Sequence, residues 1–462
     1  MGVPDQPTPT AAPPARLESV DAFRGFVMLL MMAEILKFAV VATAVPGNPV
    51  ITFLAHHQTH VEWVGCSLHD LIQPGFSFLV GVSLPYSLAA RRARGQSRLA
   101  MTLHAFWRAF VLVWLGIILR SLWRDTPDYG FTDTLSQIGL GYGFLFVLGF
   151  RPVRDQWLAF AAILVGYWLF FAAYPAPSPG FDWSAVGVKP EWLAQNGLDG
   201  FAAHWSKNAN AAAEFDRWFL NLFPRPPKET PFVFSPGGYQ VLSFVPTLAT
   251  MILGLIAGGV MKGDRLPRGK VLWLTAAGLV GLAAGYGLGV WGVCPVVKRI
   301  WTPSWVLFSG GWCLLLLAGF YAVVDLGGWR RWAFPLLVVG MNSIAAYCIA
   351  TSFVKPEIHK MVRRHLGART SRRTFLGRLG WLSGLDRRIL LRVDGHSPPT
   401  SPWRQSSTTG DAMRAPRACC CGSCRSRCSC ASACRQCSLP AIRCATDVRS
   451  RPRAATATAA PA

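Results

Sequence analysis

Charge is what this 462-residue chain has least of. Only 15% of its residues are charged, whereas 52% are hydrophobic and 12% aromatic. A soluble protein carries about 25% charged residues to solvate its surface, so the composition excludes a water-soluble multidomain protein. Acidic residues are scarcer than basic ones: 23 Asp and Glu stand against 46 Lys and Arg, a net charge of +23. Spread evenly, that excess would point to nucleic acid. It is not spread evenly, so nucleic acid is not an expected partner. Residues 372–462 hold 16 Arg and 4 Asp with no Lys and no Glu, and the remaining excess lies mostly in short loops between apolar runs. No secretory signal peptide is visible, because residues 1–15 are Pro- and Ala-rich and the first apolar run lacks a cleavage site. There is no HExxH, no alternation of the kind that marks barrel strands, and no clear internal repeat of the kind common among transporters.

What the chain does have is apolar length. Nine stretches of roughly 17–25 residues, enough to cross a bilayer as helices, fall near 24–44, 70–90, 101–121, 134–150, 156–174, 242–261, 271–292, 303–324 and 332–354. The expected class is an all-α polytopic membrane protein. Orientation follows from loop charge. Loop 45–68 has no Lys or Arg. Alternate loops carry Arg91, Arg92, Arg94 and Arg98, then Arg151 and Arg154, then Lys262, Arg265, Arg268 and Lys270, then Arg330 and Arg331. The opposite short loops hold only Arg120, Arg124, Lys298 and Arg299. The N-terminus is therefore expected in the cytoplasm, and loops 45–68, 175–241 and 293–302 outside. In loop 175–241, five Lys/Arg balance six Asp/Glu, and the segment PEWLAQNGLDGFAAHW suits a short amphipathic helix at the interface.

From about Ser371 the sequence changes character. Nine of the 13 Cys lie between Cys419 and Cys444, in a segment that is low in complexity and without periodicity. A metal-binding cluster or a disulfide-rich module would show ordered spacing with supporting His or acidic residues. Neither is present. Arg without Lys or Glu is instead what GC-rich DNA yields when read in a shifted frame. Nine helices from an inside N-terminus would also leave this basic tail outside, a conflict that a lost tenth helix removes. The expected organisation is a disordered segment 1–15, a membrane domain 16–366 and a disordered, low-complexity tail 367–462.

Four polar signals interrupt the apolar pattern. Asp21 and Arg24 open the first stretch, as an interfacial cap would. Glu34 and Lys37 follow within it, either paired on one helical face or lining a polar cavity. Four of the nine His (His56, His57, His60 and His69) lie within 14 residues. His56 and His60 could share a helical face and a metal, or one imidazole could serve as general base, the role suited to a group that titrates near neutral pH. Solvated loop histidines are the plainer alternative, and no metal is expected. Lys298, Arg299 and Trp301 form a belt before the eighth stretch, and Asn342-Ser343 sits in the middle of the ninth, where interhelical hydrogen bonding or ligand contact would each explain it.

In chain order, SVDAFRGFVMLLMM, HVEWVGCSLHDLIQPGFSFLVGVSL, TLSQIGLGY, FSPGGYQVLSFVPTLATMILGLIAG, VKRIWTPSWVLFSGG and VGMNSIAAY resemble the bacterial relatives of heparan-α-glucosaminide N-acetyltransferase, a family of transmembrane acyltransferases. The resemblance runs from about Arg16 to about Leu366. It implies acetyl transfer from cytoplasmic acetyl-CoA to an amino-sugar or glycan acceptor across the membrane. It also implies a catalytic histidine in a His-x-x-Trp-x-Gly pattern before an Asp-Leu-x-x-Pro helix. Here that histidine is His60, with Trp63, Gly65, Asp70 and Pro74 in register. The family's Asn near the outer end of the first helix is replaced by Glu34 or Ile35.

The expected site is thus His60 as catalytic base, with Glu34, Trp63, Asp70, Lys298, Trp301, Asn342 and Ser343 toward substrate, and Arg91, Arg92 and Arg94 toward the CoA phosphates by charge. The setting is a bacterial cytoplasmic membrane, with membrane lipid as neighbour and a homodimer left open as the assembly. The competing reading is a multispan transporter or flippase for a glycan or lipid precursor, with Glu34 and Lys37 lining its path.

Overall fold

The computed structural model describes residues 17–226 and 229–351. The expectations for segment 1–15 and for the tail 367–462, with its Cys cluster and tenth helix, lie outside the described residues. Within them the chain is all helical, and the one β-bridge joins Val64 to Val297. The helices are α1 (Glu18–Ala33), α2 (Phe38–Ala44), α3 (Pro49–His57), α4 (Ile72–Ala93), α5 (Arg98–Ser121), α6 (Thr134–Leu148) and α7 (Val153–Ala172). They are followed by α8 (Pro190–Asn196), α9 (Ala211–Phe219), α10 (Phe244–Lys262), α11 (Pro267–Val290), α12 (Pro303–Phe320), α13 (Phe334–Met341) and α14 (Ser343–Ile349). Several start where the sequence supplies an N-cap acceptor for the orphan amides of the first turn. Asn48, Ser97, Asp133, Asn210 and Thr302 each accept a backbone N–H from the turn they precede.

Among the described residues, six helical segments are long and apolar enough to cross a membrane: Leu68–Ala93, Arg98–Ser121, Val153–Ala172, Val241–Lys262, Pro267–Val290 and Pro303–Leu326. This is a multi-pass membrane protein. The other three apolar stretches, over their described residues, are helical but short or broken. Stretch 134–150 yields the 15-residue α6. In stretch 24–44 the sixteen residues of α1 rise about 24 Å, less than the ~30 Å hydrocarbon thickness. A 3₁₀ turn follows at Glu34–Leu36, and Lys37 adopts φ 48° before α2. That left-handed residue ends the helical face that the first of the two alternatives for Glu34 and Lys37, pairing on one face, would need. Stretch 332–354 is interrupted at Asn342 (φ −116°, ψ 32°), which separates α13 from α14.

Burial sorts the helices into a centre and a rim. The apolar window of α10 is 78% buried, whereas those of α7 and α11 are only 17% buried. Exposed apolar residues of the rim include Leu158, Val165 and Leu169 on α7 and Leu272, Leu279 and Val280 on α11. In a bilayer such faces meet acyl chains at no cost. At the centre α4 and α10 approach closely through glycine. A methyl group at Gly81 would overlap the Met251 carbonyl, and one at Gly254 or Gly258 would overlap the carbonyl of Phe78 or Val82. The sequence Gly254-x-x-x-Gly258 is the small-residue spacing that allows helix backbones to touch.

The three loops assigned to one side by charge meet on one face. Trp63 Nε1 donates to the Trp205 carbonyl (3.2 Å), Gly65 N to the Val296 carbonyl (3.0 Å) and Arg299 Nη1 to the Gly237 carbonyl (2.7 Å). Trp63, Tyr167, Phe171, Trp205, Cys294, Val297 and Ile300 form a second, smaller core beneath these contacts. The single amphipathic helix expected in loop 175–241 is instead two pieces, α8 and a 3₁₀ turn at Gly200–Trp205.

Candidate active site

The site begins with a helix cap. Ser67-Leu68-His69-Asp70 is a capping box at the entry to α4: the Ser67 side chain takes the amide at Asp70, and the Asp70 carboxylate takes the Ser67 amide. Oδ2 of Asp70 accepts Ser67 N (3.0 Å), Ser67 Oγ (3.0 Å) and Val61 N (3.3 Å). These bonds fix the carboxylate and leave Oδ1 facing the opposite way. There it meets His60 Nδ1 at 2.7 Å and Lys298 Nζ at 3.1 Å, and Lys298 Nζ lies 3.0 Å from the same His60 nitrogen. Asp70 is fully buried and the Lys298 side chain 6% exposed, whereas the His60 side chain is 39% exposed. One imidazole nitrogen is thus committed to the buried pair. Nε2 is the nitrogen left for chemistry.

Lys298 is delivered by docking of backbone on backbone. The bridge between Val64 and Val297, and the bond from Gly65 N to Val296, lay segment 294–302 against segment 61–66. Gly65 sits at φ +121°, a conformation that side-chain-bearing residues rarely adopt, and so lets the chain turn beneath His60. Burial pulls the Lys298 ammonium down from the usual lysine range, and the Asp70 carboxylate works against that pull. Cys66 lies beside the pair, its thiol pushed up to about 12 chiefly by burial and then by the Asp70 charge. The His69 ring stands 4.6 Å from that of His60, and its Nδ1 is buried without a hydrogen-bond partner.

Around the mouth, Arg299 donates to the Val61 carbonyl (3.2 Å), lies over the Tyr239 ring (5.5 Å) and approaches Glu62 (3.8 Å). Trp192 Nε1 donates to Glu62 (3.2 Å), and Lys207 lies over the Trp192 ring (4.7 Å). Loop 175–241 therefore contributes an aromatic and charged rim to the centre that His60 opens onto.

The other expected site residues are distributed unequally. Trp63 and Trp301 are buried and structural in their contacts, Trp63 on the Trp205 carbonyl and Trp301 on Thr250 Oγ1 (3.2 Å). Glu34 lies at the exposed end of α1, where its charge acts on His69. Arg91, Arg92 and Arg94 end α4, the far end from His60, with Arg92 over the Phe150 ring (5.4 Å). Asn342 and Ser343 do not line the His60 centre. They line a cavity of about 430 Å³ with Arg24, Ser83, Ser87, Arg108, Thr134 and Tyr142, between α1, α4, α5, α6 and the α13–α14 junction. On α4 the cavity begins at Phe76, roughly 9 Å along the axis from Asp70. Arg24 reaches into it from α1, bonded to Asp21 Oδ1 (2.9 Å) and Ser83 Oγ (2.7 Å).

Helix α3 ends at His57, so His56 and His60 do not share a helical face, and His57 Nδ1 accepts the Leu68 amide (3.2 Å). No group of three or more metal-ligating side chains occurs among the described residues. Sequence reasoning missed Ser67 and Arg299 as parts of the site. The Ser-x-x-Asp spacing ahead of an apolar run was a usable signal for the first. The second stood in the Lys298–Trp301 belt, beside a residue that was assigned to the site.

The fold and the site together define a multi-pass helical membrane protein whose loops assemble a His–Asp–Lys centre on one face. Over 381 residues, 73% of this chain and 53% of its relative, it is 26% identical to human heparan-alpha-glucosaminide N-acetyltransferase. To the mouse protein of the same name it is 25% identical over 388 residues, 74% of this chain and 54% of the relative. These similarities bear out the family resemblance carried by the six sequence blocks. The chain spans about half the length of the curated relatives it matches. No protein-family model matches it.

Proposed function

We propose that the chain is an integral-membrane acyltransferase that moves an acetyl group from cytoplasmic acetyl-CoA to the amine or hydroxyl of an amino-sugar or glycan acceptor at the outer face. The observation that carries this reading is the 2.7 Å contact between His60 Nδ1 and buried Asp70, which leaves the exposed half of the imidazole free. Similarity to two acetyltransferases supports the choice of reaction.

In this reading the Asp70 carboxylate accepts a hydrogen bond from Nδ1–H, which keeps the ring's proton on Nδ1 and leaves a lone pair on Nε2. Nε2 removes a proton from the acceptor as its nitrogen or oxygen attacks the thioester carbonyl. The tetrahedral adduct then collapses, the carbon–sulfur bond breaks, and the imidazolium returns its proton to the departing thiolate. The donor enters from the Arg-rich end of α4. Arg91, Arg92 and Arg94 attract its phosphates, and the acyl arm passes the cavity lined by Arg24, Arg108, Asn342 and Ser343 toward His60. The short or broken apolar stretches cross the membrane with the six long ones, with the N-terminus cytoplasmic.

The test is acetyl transfer by the purified chain in proteoliposomes, with acetyl-labelled CoA on one side and glucosamine-terminated acceptors on the other. Labelled acceptor is expected, together with reagent access to a cysteine at position 57 from outside and to one at position 95 only after permeabilisation. CoA-independent movement of an unmodified glycan, with no acetylated product, would contradict the proposal.

A further inference from the structure

Asp70 and His60 alone would make an unbalanced pair. A buried carboxylate in contact with an imidazole favours the doubly protonated ring, and a ring already carrying both protons is no base. The centre contains a third charge that the dyad does not need for its geometry, since Ser67 and Val61 already orient the carboxylate. We infer that Lys298 is a positioning residue for the proposed reaction: its ammonium group, buried against Asp70 Oδ1 and His60 Nδ1, offsets the carboxylate's charge beside the ring while Nε2 stays open.

Three distances support this. Nδ1, Oδ1 and Nζ form a near-equilateral triangle with sides of 2.7, 3.0 and 3.1 Å. An ammonium has only donors, and the shorter, charge-assisted contact of Nδ1 is with Asp70, so the Nδ1 proton goes to the carboxylate. Lys298 then acts on the ring through its field at 3.0 Å, in a place from which solvent is excluded. Lys298 does not reach the mouth, so it does not take part as a substrate contact.

The other ionisable groups around the triangle do not replace it. From the 61–66 segment come Glu62, exposed and paired with Arg299, and Cys66, whose thiol is pushed up to about 12 and so stays neutral. From the α4 entry comes His69, on which Glu34 also acts. From the 237–241 segment comes Tyr239, under the Arg299 guanidinium. Two further cations lie at the rim: Arg299, whose charge is shared between Glu62, Tyr239 and two carbonyls, and Lys207, which lies over the Trp192 ring.

The inference rests on the reading of His60 as base, but it can be tested without turnover. Diethyl pyrocarbonate acylates only the uncharged imidazole, and mass spectrometry of the His60 peptide follows its labelling across pH in the full chain. In Lys298→Met the labelling midpoint should move up by about one pH unit or more, the size expected when an opposite charge acts alone within 4 Å. In Lys298→Arg, which restores the charge, it should return to within about half a unit of the parent. The double variant Asp70→Asn/Lys298→Met leaves no unpaired buried charge and makes the same comparison against Asp70→Asn, in case Lys298→Met fails to fold. A midpoint that stays in place or falls when Lys298 is removed, in both comparisons, overturns the inference. Absence of acetyl transfer with the shift intact would instead count against the proposed reaction alone.

Discussion

The His60 centre and the mid-bundle cavity are built in opposite ways. At the loop face, polar side chains are bonded to one another and to backbone from segments far apart in the chain: Lys298 and Asp70 are separated by 228 residues. In the cavity several lining side chains bond locally, although Arg24 on α1 also donates to Ser83 on α4 (2.7 Å). Ser83 donates to the carbonyl one turn back (2.7 Å), and Asn342 Nδ2 to the Val338 carbonyl (3.4 Å). About 430 Å³ is left open between them. In the proposed reaction the first arrangement would hold the reacting groups in fixed geometry, which general acid–base catalysis requires. The second leaves room for a flexible arm. In a membrane protein the two tasks separate by depth, because dense polar cross-bonding is easiest to build where loops can fold over one another.

The contrast is sharpest in kinetics. Asp70→Asn should lower kcat by about 100-fold, because general-base catalysis contributes 10²–10⁴-fold and the carboxamide no longer sets the tautomer. It should also destabilise the loop face by about 3–5 kcal/mol through the orphaned Lys298 charge, read as lost thermal stability in detergent. Arg108→Met, in the cavity, should raise KM for the acyl donor about tenfold with kcat nearly unchanged, the signature of lost uniform binding worth roughly 1.4 kcal/mol. If Arg108→Met lowered kcat instead, or Asp70→Asn affected only KM, the division of labour between the two regions would fail.

A smaller effect distinguishes the loop cap from the bundle. Asp216 on α9 is buried, with both carboxylate oxygens on the Val241 amide (3.1 and 3.2 Å), and burial pushes it up to about 7. An unfolded Asp titrates near 3.9, so the folded loop holds its proton more tightly than the unfolded one. Its stabilisation is full in acid and is lost as pH rises through about 7. Loop 175–241 should therefore exchange amide hydrogens more slowly at pH 5.5 than at pH 8.5 after correction for intrinsic rates, while α4 and α10 show no such difference. Asp216→Asn should flatten the dependence. Equal protection of the parent loop at both pH values would contradict the assignment.

Legibility in the sequence followed the same division. The all-helical class and the shared face of loops 45–68, 175–241 and 293–302 were readable, because hydropathy and loop charge are averages over many residues. His60, Asp70 and Lys298 were each singled out, but their meeting was not foreseeable from spacing, since it depends on docking of Val297 against Val64. The breaks at Lys37 and Asn342 were invisible for a different reason. Each is a local backbone change inside an apolar run, and a hydropathy window cannot register it. Asn342 and Ser343, at the second break, line the cavity and not the His60 centre.

The central claim is that His60, alone among the clustered histidines, is the base. The direct measurement is the turnover of acetyl-CoA with an amino-sugar acceptor by His60→Ala and His56→Ala, each reconstituted in parallel with the parent. The account predicts a loss of at least about 100-fold for His60→Ala, and turnover within about twofold of the parent for His56→Ala, a surface change away from the buried pair. Turnover in His60→Ala equal to that of the parent would contradict it.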